Sequence, residues 1–155
     1  MIIEVLKDLL SSNNFTLATA ESCTGGMISE RITSVPGASN YFLASCVTYS
    51  NESKIKILGV CKETLMQYGA VSVETAAEMA SGIRKVTGAD IGLSTTGIAG
   101  PGGGTELKPV GTVCFGIDYN GQIITKKEIF KGDRDSIRKQ SCDYVLNLLI
   151  DIIDD

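Results

Sequence analysis

Thr19-Ala20-Glu21-Ser22-Cys23-Thr24-Gly25-Gly26 is the stretch on which the reading of this chain turns. The run before it, Phe15 to Ala20, has the short apolar character of a buried strand. The run after it, Met27 to Ser34, reads as a helix closed by Pro36-Gly37. Two hydroxyls, a thiol and two glycines therefore fall at a strand-to-helix turn. Open α/β sheets hold their chemistry at such turns, where unpaired helix N–H groups meet the carboxyl end of a strand. With the helix starting at Gly25, Thr24 is the expected N-cap.

The flanking sequence supplies the rest of such a sheet. Residues 2–10 predict an amphipathic helix, with Ile2, Ile3, Leu6, Leu9 and Leu10 at helical spacing. Tyr41 to Tyr49 predicts a second strand, and Ser53 to Leu58 a short helix capped by Ser50-Asn51-Glu52. Lys62 to Gln67 predicts another short helix. Ser72 caps a longer one, Glu74 to Val86, with Ala76, Met79, Ala80 and Ile83 on its buried face. Ile91 to Thr95 predicts a third strand that runs into the glycine-rich segment 96–105. Val110 to Asp118 and Gln122 to Phe130 predict two more strands, joined at Asn120-Gly121, a hairpin signal. A long helix beginning near Asp133 closes the chain. The expected fold is α/β: a single three-layer α/β/α domain over 1–155, with a mixed, mostly parallel sheet and a late β-hairpin.

Composition narrows the chemistry. At 155 residues the chain suits one domain with a sizeable core. The net charge of −4 disfavours nucleic acid as a partner, since phosphate contacts need a basic face. A small anionic ligand needs only a few local cations and is not excluded. No apolar run spans a bilayer and no charged-then-apolar leader follows Met1, so a cytoplasmic protein without membrane partners is expected. Five cysteines, none in CxxC spacing, read as free thiols, mostly buried. There is no histidine. That removes Ser-His-Asp triads, Cys-His dyads and histidine metal sites, and leaves Lys, Tyr, Cys, Asp and Glu for acid–base work.

Three strand ends carry polar clusters: Glu21-Ser22-Cys23-Thr24, Tyr49-Ser50-Asn51 and Thr95-Thr96-Gly97. In a parallel sheet such ends converge on one edge. Ser22 is a possible nucleophile, although a serine there equally caps a helix or satisfies a turn. Lys54 is the base with a physical rationale. In the first turn of a helix capped by Asn51, the dipole opposes its charge, and burial lowers its pKa further. A solvated surface lysine is the plain alternative. Tyr49 offers a hydroxyl, or simply packs its ring. Cys23 is the rival nucleophile, its thiolate favoured near a helix N-terminus. Because the two are adjacent, Ser22 and Cys23 are expected to point to opposite sides, and only one to reach a pocket. Arg134 and Arg138, at the start of the last helix, suit a phosphate or carboxylate, or pair with Asp133 and Asp135 on a solvated face. The glycine segment matches neither the dinucleotide nor the P-loop pattern.

Taken together, ATAESCTGG (18–26), VTYSNESK (47–54), GAVS (69–72), TGIAGPGGGT (96–105), KPVGTV (108–113) and GDR (132–134) resemble the CinA C-terminal domain family. Its stand-alone members include nicotinamide-nucleotide amidohydrolases. The resemblance implies hydrolysis of the carboxamide of nicotinamide mononucleotide to nicotinic acid mononucleotide and ammonia. It implies Ser22 as nucleophile, Lys54 as base and Tyr49 beside them. Glu21, Thr24, Gly25, Gly26, Asn51, Thr96, Gly97, Gly100 and Arg138 match the family's ligand-binding positions, with Arg138 near the phosphate. No metal and no cofactor is implied. The expected partner is the small nucleotide, and the expected assembly a homo-oligomer, dimer or higher. Leu107 and Met27 depart from the pattern, away from the chemistry. The alternative is a non-catalytic nucleotide-binding or protein-interaction module linked to competence or DNA damage.

Overall fold

A computed structural model describes residues 2–155. The elements in chain order are α1 (Ile2–Ser12), β1 (Leu17–Glu21), α2 (Met27–Ile32), a single 3₁₀ turn (Ala38–Asn40), β2 (Phe42–Val47), α3 (Asn51–Leu58), α4 (Lys62–Tyr68), α5 (Val73–Thr87), β3 (Ile91–Gly97), β4 (Thr112–Tyr119), β5 (Gln122–Ile129) and α6 (Arg134–Asp154). The sheet order is β2-β1-β3-β4-β5. β1 is parallel to both β2 and β3, while β4 is antiparallel to β3 and β5. Only β4 opposes the other strands, so the expected mostly parallel sheet with a late hairpin is the one found. The β4–β5 turn holds Asn120 at φ 51° and Gly121 at φ 97°. Both are left-handed, which matches the twist of a two-residue hairpin and explains the Asn-Gly pair.

Helices cover both faces. On one, Ile3, Leu6 and Leu10 of α1, Ile28 and Ile32 of α2, and Val145, Leu146 and Leu149 of α6 pack with Leu17, Leu93, Phe115 and Ile117 of the strands. Each such side chain contributes about 1.5–3 kcal/mol by leaving water. On the other, Met79 and Ile83 of α5 and Leu58 of α3 pack on Ala18 and Ala20 of β1. Strand alternation separates the two sets, since successive side chains point to opposite faces. α5 lies unusually close to the sheet. A Cβ at Gly92 would sit 2.1 Å from the Ala80 carbonyl oxygen, and one at Gly116 would sit 2.3 Å from that of Ala76. Backbone contact of that kind requires glycine.

Element boundaries move by a few residues from the expected ones. β3 runs through Thr96 and Gly97 because these pair with Cys114 and Val113 of β4. Cross-strand pairing thus extends a strand that its polar end seemed to stop. The carboxyl ends of β1, β2 and β3 lie side by side, as the three polar clusters predicted. No described helix is long and apolar enough to cross a membrane.

Candidate active site

The turn after β1 is built around a buried carboxylate. Glu21 Oε1 accepts from Thr24 Oγ1 (2.7 Å), Gly26 N (3.0 Å) and Ile28 N (3.1 Å). Its Oε2 accepts from the Ser29 amide (3.0 Å) and hydroxyl (2.9 Å) and from Ser45 Oγ (3.3 Å). The negative charge lies against the amino end of α2, where the helix dipole favours it, and receives charge-assisted bonds from the otherwise unpaired first-turn amides. This corrects the expected cap. α2 starts at Met27 after Gly26 at φ 102°, no side chain caps it locally, and Glu21 does that work from the strand. Thr24 Oγ1 also meets Thr95 Oγ1 at 2.8 Å. Glu21 and Thr24 are fully buried with these partners, so they shape the turn and do not line a ligand surface.

Ser22 follows Ala20 on the α3–α5 face, and α3 brings Lys54 to it. Ser50 caps α3 by accepting from Ser53 N at 3.1 Å. Asn51, expected as cap and ligand contact, is instead the exposed first residue of the helix. Lys54 is 1% exposed. Its Nζ lies 3.1 Å from Ser22 Oγ, and it donates to the carbonyl oxygens of Thr48 (2.7 Å) and Tyr49 (3.4 Å). No carboxylate pairs with it among the described residues. Burial pushes its pKa below the ordinary 10.5, because the charged form is poorly solvated there. Lys56, two residues on, faces solvent and pairs with Glu52.

Cys23 points away from Ser22, into the α6-side core. It forms part of the wall of an open cleft of about 220 Å³, together with Tyr49, Gly97, Gly100, Gly103 and Arg134. Ser22, 8% exposed, is not among the residues that line it. The expected helix-terminal activation of Cys23 is overturned. Burial pushes its thiol up to about 12, so it is protonated at neutral pH. Tyr49 is 63% exposed, and its phenol accepts from Arg134 Nη2 at 3.2 Å. It therefore does not stand between Ser22 and Lys54; only its carbonyl meets Lys54.

The two arginines divide their tasks. Arg138, expected near a phosphate, donates to the carbonyls of Cys23 (3.1 Å) and Thr24 (3.0 Å) and holds the turn to α6. Arg134 is the guanidinium in the cleft, and its Nη1 donates to Gly100 O at 2.9 Å. The GDR block and the capping Asp133 were its signal in the sequence. Thr96 Oγ1 donates to Ala70 O at 2.9 Å, which turns it from the ligand role expected of it. Gly97 and Gly100 line the cleft. Gly25 and Gly26 have no free amide: Gly25 N donates to Ser22 O, and Gly26 N to Glu21. The amides of Cys23 and Thr24 have no oxygen partner among the described residues.

The chain as a whole resembles known proteins. The CinA C-terminal domain matches residues 1–153. A protein of Moorella thermoacetica named as competence-damage inducible is 55% identical over 141 residues, covering 91% of this chain and 34% of that protein. The CinA-like protein of Chloroherpeton thalassium is 51% identical over 154 residues, covering 97% and 37%. The chain thus spans about a third of the length of the curated relatives it matches. Among solved structures, competence damage-inducible protein A of Klebsiella pneumoniae superposes with a TM-score of 0.94 at 35% identity, covering 97% of this chain and 93% of that one. The competence/damage inducible protein CihA of Agrobacterium tumefaciens gives 0.93 at 36% identity, covering 99% and 96%. By sequence and by fold, the chain belongs to the CinA C-terminal domain family.

Proposed function

We propose that this domain is an amidohydrolase that cleaves the carboxamide of nicotinamide mononucleotide, with Ser22 as nucleophile and Lys54 as base. One observation carries the reading: a buried lysine with no carboxylate partner among the described residues, 3.1 Å from a serine hydroxyl. A neutral amine has two N–H groups and one lone pair. The carbonyls of Thr48 and Tyr49 take the two N–H groups, and the lone pair is left for the Ser22 proton. Lysines lowered by burial serve as general bases in this way.

In the reaction, Lys54 removes the Ser22 proton as Oγ attacks the amide carbon. The amides of Cys23 and Thr24, without an oxygen partner among the described residues, are the donors for the oxyanion. Such donors are worth about 10²–10³ in rate each. The proton on Lys54 passes to the leaving nitrogen, ammonia departs, and water hydrolyses the acyl-enzyme. The nucleotide substrate rests on the family resemblance. Arg134 in the cleft is the cation that suits an anionic ligand.

Ammonia release over a panel of nicotinamide mononucleotide, nicotinamide riboside, nicotinamide and simple amides tests this. The mononucleotide is expected to react fastest. Binding of the mononucleotide without turnover at any pH would replace this reading with a non-catalytic binding module.

A further inference from the structure

Among the described residues, two buried side-chain polar atoms lack any partner: Tyr41 OH and Thr48 Oγ1. Tyr41 lies at the far end of the sheet, just before β2. Thr48 lies beside the reacting pair. Glu21 pairs with Val47, and Thr48 N donates to Glu21 O at 2.8 Å, so the parallel ladder continues one step and makes Ser22 and Thr48 neighbours. The extended run also places Thr48 on the face of Cys46, which packs on the α3–α5 side with Ala18 and Ala20. Lys54 already donates to the Thr48 carbonyl at 2.7 Å. Thr48 is fully buried, and leaving its hydroxyl unpaired is costly. An unsatisfied group of this kind calls for an explanation, and a role in the reaction is one that its place beside Ser22 and Lys54 supports.

We propose that Thr48 is a positioning residue whose hydroxyl holds the water that hydrolyses the acyl-enzyme. This rests on the Ser22–Lys54 reading above. After ammonia leaves, Ser22 is esterified and the Lys54 lone pair is free. The water oxygen forms a bond to the acyl carbon, and one water proton passes to Lys54 Nζ. Thr48 Oγ1 accepts the hydrogen bond of the second. The tetrahedral intermediate then breaks its bond to Ser22 Oγ, which recovers the proton from Lys54, and the carboxylic acid departs. The carbonyls of Thr48 and Tyr49 are taken by Lys54, whereas Thr48 Oγ1 has no hydrogen-bond partner of its own.

Thr48→Val keeps the shape and removes the hydroxyl. With nicotinamide mononucleotide as substrate, kcat is expected to fall by about 10–100-fold, the scale of a mispositioned reactant. The melting temperature should stay the same or rise. Mass spectrometry of quenched reactions should show a covalent adduct accumulating in Thr48→Val and not in wild type. Thr48→Ser should restore turnover. A Thr48→Val enzyme with wild-type kcat, or a slow one without accumulated adduct, would overturn the proposal. Full activity in Ser22→Ala would instead remove the underlying mechanism, whatever Thr48 does.

Discussion

Lys54 Nζ lies 3.1 Å from Ser22 Oγ, although the two stand 32 positions apart in the chain, and among the described residues no charged partner steadies the lysine. α3 delivers the amine and the turn after β1 delivers the hydroxyl. The account predicts that the amine cannot be exchanged for a permanent cation. Arginine stays protonated at any working pH and has no lone pair. Lys54→Arg should therefore lose activity as fully as Lys54→Ala, by at least about 10²-fold, the lower range for general acid–base catalysis. Ammonia release from nicotinamide mononucleotide is the measurement. An active Lys54→Arg would show that Lys54 supplies only charge.

The lowered Lys54 pKa gives a signed prediction for pH. Activity needs the neutral amine, so kcat/KM should rise with pH through an ionisation below 10.5. Stability follows the same group. Between the lowered folded value and 10.5 the unfolded chain carries the proton and the folded chain does not, so the unfolded state binds more protons and stability rises with pH. Below the folded value both states are protonated and the contribution is constant. Subtracting the denaturation profile of Lys54→Met from that of wild type isolates this slope. A flat difference across the window would mean that the folded lysine titrates normally.

Glu21 is the strut of the turn. Glu21→Gln replaces a carboxylate oxygen with an amide NH₂ facing donors, either the amides of Gly26 and Ile28 or those of Ser29. A loss of about 2–4 kcal/mol is expected from leaving buried donors unpaired and removing a charge that they solvate. Chemical denaturation measures it. Wild-type stability in this variant would show that the bonds to the carboxylate carry little.

Tyr49, whose hydroxyl the sequence offers to the site, is a test of which groups carry the proton. Were its phenol to relay the proton, its loss would cost about 10²–10⁴. Its phenol instead meets Arg134 at 3.2 Å, away from Lys54. Tyr49→Phe should keep kcat within about tenfold of wild type, below that range. A larger loss in kcat would put the phenol back in the proton path.

The sheet was legible because its signals are local. β-branched and apolar runs mark β1 to β5, Asn120-Gly121 marks the hairpin, and Ser72 marks the start of α5. The convergence of three polar strand ends follows from parallel topology. The Ser22–Lys54 pair was readable because the missing histidines left few bases. What the residues hid were the partners chosen by tertiary contact. Glu21 looks like any polar turn residue until six donors fold onto it. Arg134 and Arg138 sit one helical turn apart with the same chemistry, and only the packing of α6 sends one to the turn carbonyls and the other to the cleft. Cys23 appeared activated by a helix end, but the core around it raises its pKa. Thr48 stands inside the VTYSNESK block with no role to be read from its type, and its missing partner is what marks it.

The central claim is that Ser22, not its neighbour Cys23, attacks the amide. The direct measurement is ammonia release from nicotinamide mononucleotide by Ser22→Ala and Cys23→Ala, each shown to be folded. The account predicts no turnover in Ser22→Ala and substantial turnover in Cys23→Ala. Full turnover in Ser22→Ala, or loss confined to Cys23→Ala, would contradict it.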